Sequence, residues 1–308
     1  MSLSLNKSVV IIAGPTAIGK TELCIQLAKQ FKTEIISADS RQFYKELKIG
    51  TASPTKEELK KVKHHFIGHI SIHDYYNVSM FEQQAVALAE NLLKKYDIVF
   101  LTGGSGLYID TFCKGIDELP DPNPDIRLEL KEIYENQGLE PLRFQLKNID
   151  PEYYAIVDLA NPKRIMRALE VYLSTGIKYS ELRRNTSKKR SFNIIKLALN
   201  RERQELFNRI NTRVDNMFAL GLVEEAMRYS PLQHLNAMNT VGYKELFAHF
   251  DGKITLEQAK TDIKTNTRRY AKRQLTWFKK DTEMKWFHPE DNDGIVDYIY
   301  KRINCNDT

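Results

Sequence analysis

Cysteine is scarce in this chain. Its 308 residues include three, Cys24, Cys113 and Cys305, an odd number set far apart, which forms neither a disulfide framework nor a CxxC zinc pattern. A reducing compartment fits that usage, and bound zinc does not. Long hydrophobic runs are missing as well. No window approaches the ~20 uninterrupted apolar residues that span a bilayer, and the opening MSLSLNKS lacks the apolar core of a secretory signal. A cytoplasmic protein with no membrane partner is expected. Internal repeats and low-complexity tracts are absent, which sets aside solenoids and disordered linkers. What remains is 42% hydrophobic and 28% charged, a balance that suits one large globular domain or a large one with a smaller companion.

Net charge is +6, modest for a nucleic-acid binder, but its distribution is uneven. From Lys264 to Lys280, KTNTRRYAKRQLTWFKK holds seven Lys or Arg and no acid, with Tyr270, Trp277 and Phe278 interleaved. This is either a phosphate-backbone surface, with Arg269 and Arg273 among its contacts, or a solvated helix face with its aromatics in the core. His65, His69 and His73 are spaced four apart, as metal ligands on a helix would be. The surrounding HHFIGHISIH is rich in Ile and Phe, carries a Gly and reads as strand or loop, so these are taken as ordinary polar or substrate-contacting histidines.

Three short apolar runs, SVVIIAG, TEIISADS and YDIVFLTGG, alternate with helical patterns and end in small or polar residues, as buried parallel strands do. Between the first two, Leu23, Leu27 and Phe31 share one helical face. Before the third, Ser79 and Glu82 read as a capping box, with Ala85, Leu88, Ala89 and Leu92 on the buried side. At GIDELPDPNPDIRLELK the prolines stop regular structure, and the chain turns charged and helical through about Arg190. FNIIKLALN reads as a strand returning to the sheet. RQELFNRINTRVDNMFALGLVEEAMRY reads as one long amphipathic helix ending near Pro231, and the tail as helical and basic. The expected fold is therefore α/β: a P-loop NTPase-like, mostly parallel sheet flanked by helices, formed by residues 1–118 and 191–308, with a smaller all-helical insertion at 119–190.

The segment GPTAIGKT, Gly14, Pro15, Thr16, Ala17, Ile18, Gly19, Lys20 and Thr21, matches GxxxxGK[ST] between a strand and an amphipathic helix. Glycines there let successive N–H groups turn inward at a helix N-terminus, where the dipole also favours an anion. Lys20 adds a point charge, and the Thr21 hydroxyl suits a Mg²⁺ ion bridging two phosphates. Such a loop recognises a phosphorylated end and no particular base. The third strand ends in Thr102-Gly103-Gly104 instead of the acid usual in nucleotide hydrolases, and no NKxD-like guanine reader follows, so ATPase and GTPase readings lose weight. The second strand does deliver an acid. Asp39 follows IISA at the strand end, where it would be a structural cap, a magnesium ligand or a general base that neighbouring cations keep ionised.

Taken in order, GPTAIGKT, ISADSRQFY, IGTASP, HHF, TGGSGLY, NPKRIMRALEVY, RINTRVDNMFALGLVEE, NTVGYKEL and RRYAKRQLTWF resemble the tRNA dimethylallyltransferases, also called tRNA isopentenylpyrophosphate transferases, from about residue 9 to residue 280. The resemblance implies transfer of a dimethylallyl group from dimethylallyl diphosphate to N6 of the adenine 3′ of a tRNA anticodon, position 37. It implies Asp39 as the general base, Lys20 and Thr21 with Mg²⁺ holding the diphosphate, and Arg213 contacting the leaving group. It further implies tRNA contacts at Asp39, Ser40, Arg41 and Gln42, at Lys163, Arg164, Ile165, Met166 and Arg167, and at Asn239, Thr240, Val241, Gly242, Tyr243 and Lys244. Ser105, where the family commonly has Thr, and Arg127 align with two isolated contacts. Eukaryotic relatives often continue into a Cys/His finger where this sequence ends on CNDT, so a bacterial-type enzyme without zinc, acting as a monomer, is expected. Three rivals remain: prenylation of free adenine nucleotides, a small-molecule kinase, and a non-catalytic RNA-binding module.

Overall fold

The computed structural model of the chain describes residues 7–184 and 187–304, so Cys305 and the closing CNDT lie outside the described residues. Ser8–Ala13 (β1) is buried along its whole length, as its run of Val and Ile requires of a strand covered on both faces. The chain continues through α1 (Lys20–Gln30), β2 (Ile35–Ser37), α2 (Lys56–Lys61), β3 (His64–His65), α3 (Val78–Leu93), β4 (Ile98–Gly103) and α4 (Gly106–Lys114). A helical stretch follows: α5 (Pro124–Gln137), α6 (Glu140–Ile149), α7 (Pro151–Ile156), α8 (Pro162–Thr175) and α9 (Tyr179–Leu182). Last come β5 (Asn193–Leu199), α10 (Arg203–Ala219), α11 (Leu222–Tyr229), α12 (Tyr243–Phe250), α13 (Leu256–Phe278), β6 (Lys285–Phe287) and α14 (Asn292–Asn304).

The strands lie in the order β3-β2-β4-β1-β5-β6 and every pairing is parallel. Alternate side chains of β1 go to opposite faces. Val10 and Ile12 join Phe100, Ile195 and Leu197 under α1, α10 and α14, whereas Val9, Ile11 and Ala13 join Val99 and Leu101 under α3 and α4. A third apolar cluster, with Leu47, Val214, Leu222, Tyr243, Leu246 and Ile263, binds α10 to α13 together and anchors the loop after β2. Because all strands run one way, the loops after β1, β2, β4 and β5 emerge at the same sheet edge, where open α/β sheets bind their ligands.

The described residues divide into two compact units, one within Met1–Cys113 and Arg190–Thr308, the other within Lys114–Lys189. The second has its own core of Leu130, Leu142, Leu146, Tyr153, Ile165 and Leu169. Its prolines start helices as well as stopping them. Asn123-Pro124, Asp150-Pro151 and Asn161-Pro162 each pair a side-chain cap with a proline at the first helical position, where the missing N–H costs nothing.

Several sequence expectations need correction. The cap of α3 is Asn77, which accepts the Met80 N–H at 2.9 Å, and not Ser79. Glu82 is buried instead, in an ion pair of 2.6 Å with Arg190, whose guanidinium also donates to the Phe112 and Thr111 carbonyls. The single helix expected up to Pro231 is two, because Gly221 takes a left-handed φ of 96° and restarts the chain as α11. The tail, read as wholly helical, contributes β6 at the sheet edge beside β5. Helical structure after the prolines ends at Leu182, short of Arg190.

Candidate active site

Between Ala13 and Lys20 the chain curls back on itself. Gly19 stands at φ 110°, a conformation glycine adopts without strain, and Ala17, at φ 63°, is a left-handed residue carrying a Cβ. The Lys20 ammonium donates to the loop's own carbonyls, to Gly14 O at 2.9 Å and to Pro15 O at 2.7 Å. Burial pushes its pKa down to about 8, against the opposing pull of the Asp39 charge, and Arg213 lowers it further.

Asp39 leaves the β2 edge two residues after Ser37. Its Oδ1 accepts the Arg41 N–H at 3.1 Å, and its backbone carbonyl accepts the Gln42 N–H at 3.0 Å, so a tight turn aims the carboxylate. The turn is braced from β4: Ser105 Oγ accepts the Ser40 N–H at 2.9 Å and lies 3.1 Å from Ser40 Oγ. Close approach of the two strand ends depends on Gly103, where an added Cβ would stand 2.1 Å from the Ala38 carbonyl oxygen. Gly103→Ala is therefore expected to destabilise the fold by about 1–3 kcal/mol, the usual cost of overpacking, and to displace Asp39. An unchanged denaturation midpoint would refute this.

Arg213 comes from α10, with Nη1 3.4 Å from Thr16 Oγ1 and Nη2 3.4 Å from the Ala52 carbonyl. Burial lowers its pKa below the ordinary arginine value, while Asp39 and Glu58 work the other way. One turn earlier Arg209 donates to the Ala17 carbonyl at 2.9 Å. Opposite them runs the loop 46–55. Its Lys48, Ile49 and Gly50 N–H groups all donate to Glu225 of α11 at 2.8–3.1 Å, and Tyr243 donates its hydroxyl to the same carboxylate at 2.7 Å. Gln42 Nε2 ties the same loop down by donating to the Thr51 and Ala52 carbonyls at 3.3 and 3.0 Å. Together these walls enclose a cavity of about 1060 Å³ lined by Thr16, Lys20, Thr21, Asp39, Gln42 and Arg213, among others. Thr21 and Asp39 supply hard oxygen donors of the kind a small divalent cation takes.

The remaining residues named from the sequence fall into separate groups. Arg41, with Nη1 3.2 Å from the Asn236 carbonyl, borders the same turn. Arg269, Lys272 and Arg273 are exposed on α13, as is Lys279 just after it, whereas Phe278 is core and Trp277 donates to Asp110 at 2.9 Å. Thr240 hydrogen-bonds the Ala237 carbonyl, Val241 packs on the third cluster, and Lys244 is exposed. Tyr243 is fully buried and so supports the cavity wall without presenting a surface of its own, a correction to its reading as an RNA contact. In the helical unit Lys163 and Arg164 are exposed, but Ile165 is fully buried, which removes it likewise from any contact surface. Met166 packs against that core, and Arg127 and Arg167 both donate to the buried Glu170, at 2.9 and 2.8 Å. Sequence reasoning missed Arg209, Glu225 and Gln274; the first belongs to RINTR, but its spacing alone marks nothing beyond a helix face.

A parallel sheet with a glycine-rich P-loop turn after a central strand and an acid at the end of a nearby one defines a P-loop NTPase-like protein. The family model described as IPP transferase matches residues 42–281. The chain is 53% identical over 287 residues to tRNA dimethylallyltransferase 2 of Azobacteroides pseudotrichonymphae, covering 93% of this chain and 94% of that protein. Among solved structures, the tRNA isopentenylpyrophosphate transferase of Bacillus halodurans superposes with a TM-score of 0.70 at 34% identity, covering 97% of this chain and 96% of that one. A eukaryotic dimethylallyltransferase acting on tRNA reaches 0.74 at 26% identity, covering 96% and 77%. The chain belongs to the IPP transferase family, and it is a transferase.

Proposed function

We propose that this chain transfers a dimethylallyl group from dimethylallyl diphosphate to N6 of the adenine immediately 3′ of a tRNA anticodon, position 37, in the cytoplasm. The observation that carries the reading is one cavity lined by the glycine turn, Lys20, Arg213 and Asp39 together. The adenine N6 attacks the allylic carbon and a C–N bond forms. The C–O bond to the diphosphate breaks, its electron pair staying on the leaving oxygen, and the N6 proton passes to Asp39. Loop N–H groups, Lys20 and Arg213 stabilise the charge that grows on the departing diphosphate, an electrostatic contribution of several kcal/mol in sites of this kind. Thr21 would hold Mg²⁺, which would neutralise phosphate charge, leaving the Asp39 carboxylate free to take the proton.

A stacked base does not expose N6 to an interior pocket, so the target adenine is flipped out at a cost of roughly a few kcal/mol. Backbone contacts by the exposed arginines of α13 and by Lys163 and Arg164 of the helical unit would offset that cost. Incubation with labelled dimethylallyl diphosphate and Mg²⁺, offered undermodified tRNA, AMP or no acceptor, tests the assignment. Label is expected in tRNA alone. Label in AMP would make the enzyme a nucleotide prenyltransferase, and ATP turnover without label transfer would make it a kinase. Replacing Arg269 and Arg273 together by Glu is expected to weaken tRNA retention and to shallow its log–log salt slope by about two, one for each phosphate no longer neutralised. Unchanged retention would reduce that helix face to a solvated one.

A further inference from the structure

Gln274 stands on the buried face of α13, 5% exposed, with both halves of its amide committed. Its Oε1 accepts the Thr16 N–H at 2.9 Å, and its Nε2 donates to the Gly104 carbonyl at 2.8 Å. The fit is close, since a Cβ at Gly104 would lie 2.3 Å from that Nε2. One turn earlier on the same helix, Tyr270 hydrogen-bonds Gln274 and lies near enough to Asp39 for that charge to help raise its pKa, after burial. Thr16 in turn offers its hydroxyl oxygen to Arg213.

A planar amide that accepts from one loop and donates to another sets both the distance and the orientation between them. The two loops here follow different strands. One is the phosphate-binding turn after β1; the other follows β4 and, through Ser105, braces the Asp39 turn. We propose that Gln274 is a positioning residue for the prenyl donor, holding the glycine turn in register with Asp39 so that the diphosphate and the proton acceptor stand at a productive separation. The inference rests on the functional reading above. In a phosphate-binding turn the N–H groups converge on the anion. Here the Thr16 N–H is given to a side chain, which leaves the N–H groups that follow it to the diphosphate and fixes the angle at which they present themselves. The exposed face of the same helix carries Arg269 and Arg273, so the element read as meeting RNA is hydrogen-bonded to the element read as holding the donor.

Two variants and one measurement on the unsubstituted protein test this. Gln274→Met keeps the length of the side chain and removes both hydrogen bonds; Gln274→Glu keeps an acceptor for Thr16 and loses the donor to Gly104. Steady-state transfer of labelled dimethylallyl diphosphate to tRNA is expected to show the KM for the donor raised about tenfold in Gln274→Met, which loses both hydrogen bonds, and raised also in Gln274→Glu, whose carboxylate faces the Gly104 carbonyl with no proton to donate. The Kd for tRNA should not move in either. A lower thermal midpoint and fewer active sites at an unaltered donor KM would make Gln274 merely structural and overturn the proposal. Amide exchange on the unsubstituted protein reads the same hydrogen bond without any variant having to fold. The Thr16 N–H is expected to be protected before donor is added, and rapid exchange there would overturn the proposal. If the parent enzyme transferred no label at all, the functional reading would fall; transfer by the parent with a parental donor KM in Gln274→Met would remove only the role of Gln274.

Discussion

Asp39→Asn is expected to lower transfer of the dimethylallyl group by about 10²- to 10⁴-fold, the range of a positioned general base, while tRNA retention stays at the parental level. Asparagine keeps the size of the side chain and an oxygen that accepts the Arg41 N–H, so the turn from Ser37 to Gln42 survives. What it lacks is the capacity to take a proton from an attacking amine. Single-turnover transfer with saturating tRNA, beside filter retention of the same tRNA, separates the two effects. Equal loss of both would mean that the carboxylate holds the turn in shape and does no proton chemistry, and an active Asp39→Asn would require another base. Because Lys20, Arg213 and Tyr270 all feel the Asp39 charge, its removal should also shift how the donor binds, by less than it shifts turnover.

Lys20→Met is expected to cost about 10²- to 10³-fold in kcat/KM for the donor, as loss of a donor aimed at developing negative charge does elsewhere. The parent should also show a pH dependence that the variant lacks. A buried lysine whose pKa is lowered to about 8 holds its proton below that pH and releases it above. The diphosphate requires the ammonium form, so kcat/KM for the donor should be level below about 8 and fall as the pH rises through that value. Bound donor favours the charged form, so kcat at saturating donor should hold to higher pH than kcat/KM does. A parent profile flat across that region, or an unaltered fall in Lys20→Met, would show that the ammonium does not face the leaving group. Stability has its own sign. With the folded-state pKa below that of the free side chain, the unfolded chain binds the extra proton between the two values, so this residue opposes folding fully below about 8, and the penalty lifts as the pH climbs toward 10.5.

The glycine turn was legible because its geometry is local. Eight consecutive residues, GPTAIGKT, contain the backbone freedom, the helix start and the charge that the turn needs, and β1 and α1 declare themselves by apolar spacing on either side. Asp39 could be placed at a strand end on similar grounds, although only the folded chain brings it to the wall of the cavity that Lys20 and Arg213 also line. Short edge strands were harder. β3 is two residues long and β6 three, too few for any period to register, and both exist because β2 and β5 offer them a partner. Gly221 ends a helix whose apolar pattern runs on past it, so periodicity alone overran the break. Glu82 mimicked a capping residue because the Ser–Glu spacing is correct; what removed it was Arg190, over a hundred residues later, reaching into the same buried site.

Residue types and their spacing therefore decided the longer strands and most of the helices, the glycine turn, the acid after β2 and the basic stretch of α13, since each depends on neighbours a few positions away. Folding decided which of those groups share a cavity, which named residues, such as Ile165 and Tyr243, are withdrawn into a core, and which unmarked ones hold the walls in place. Glu225 gathers a loop 175 residues back in the chain, and Gln274 grips Thr16 across 258. Over such separations a hydrogen bond leaves no period and no motif in the chain, because the partners are chosen by the packing of helices on a sheet and not by anything adjacent to them.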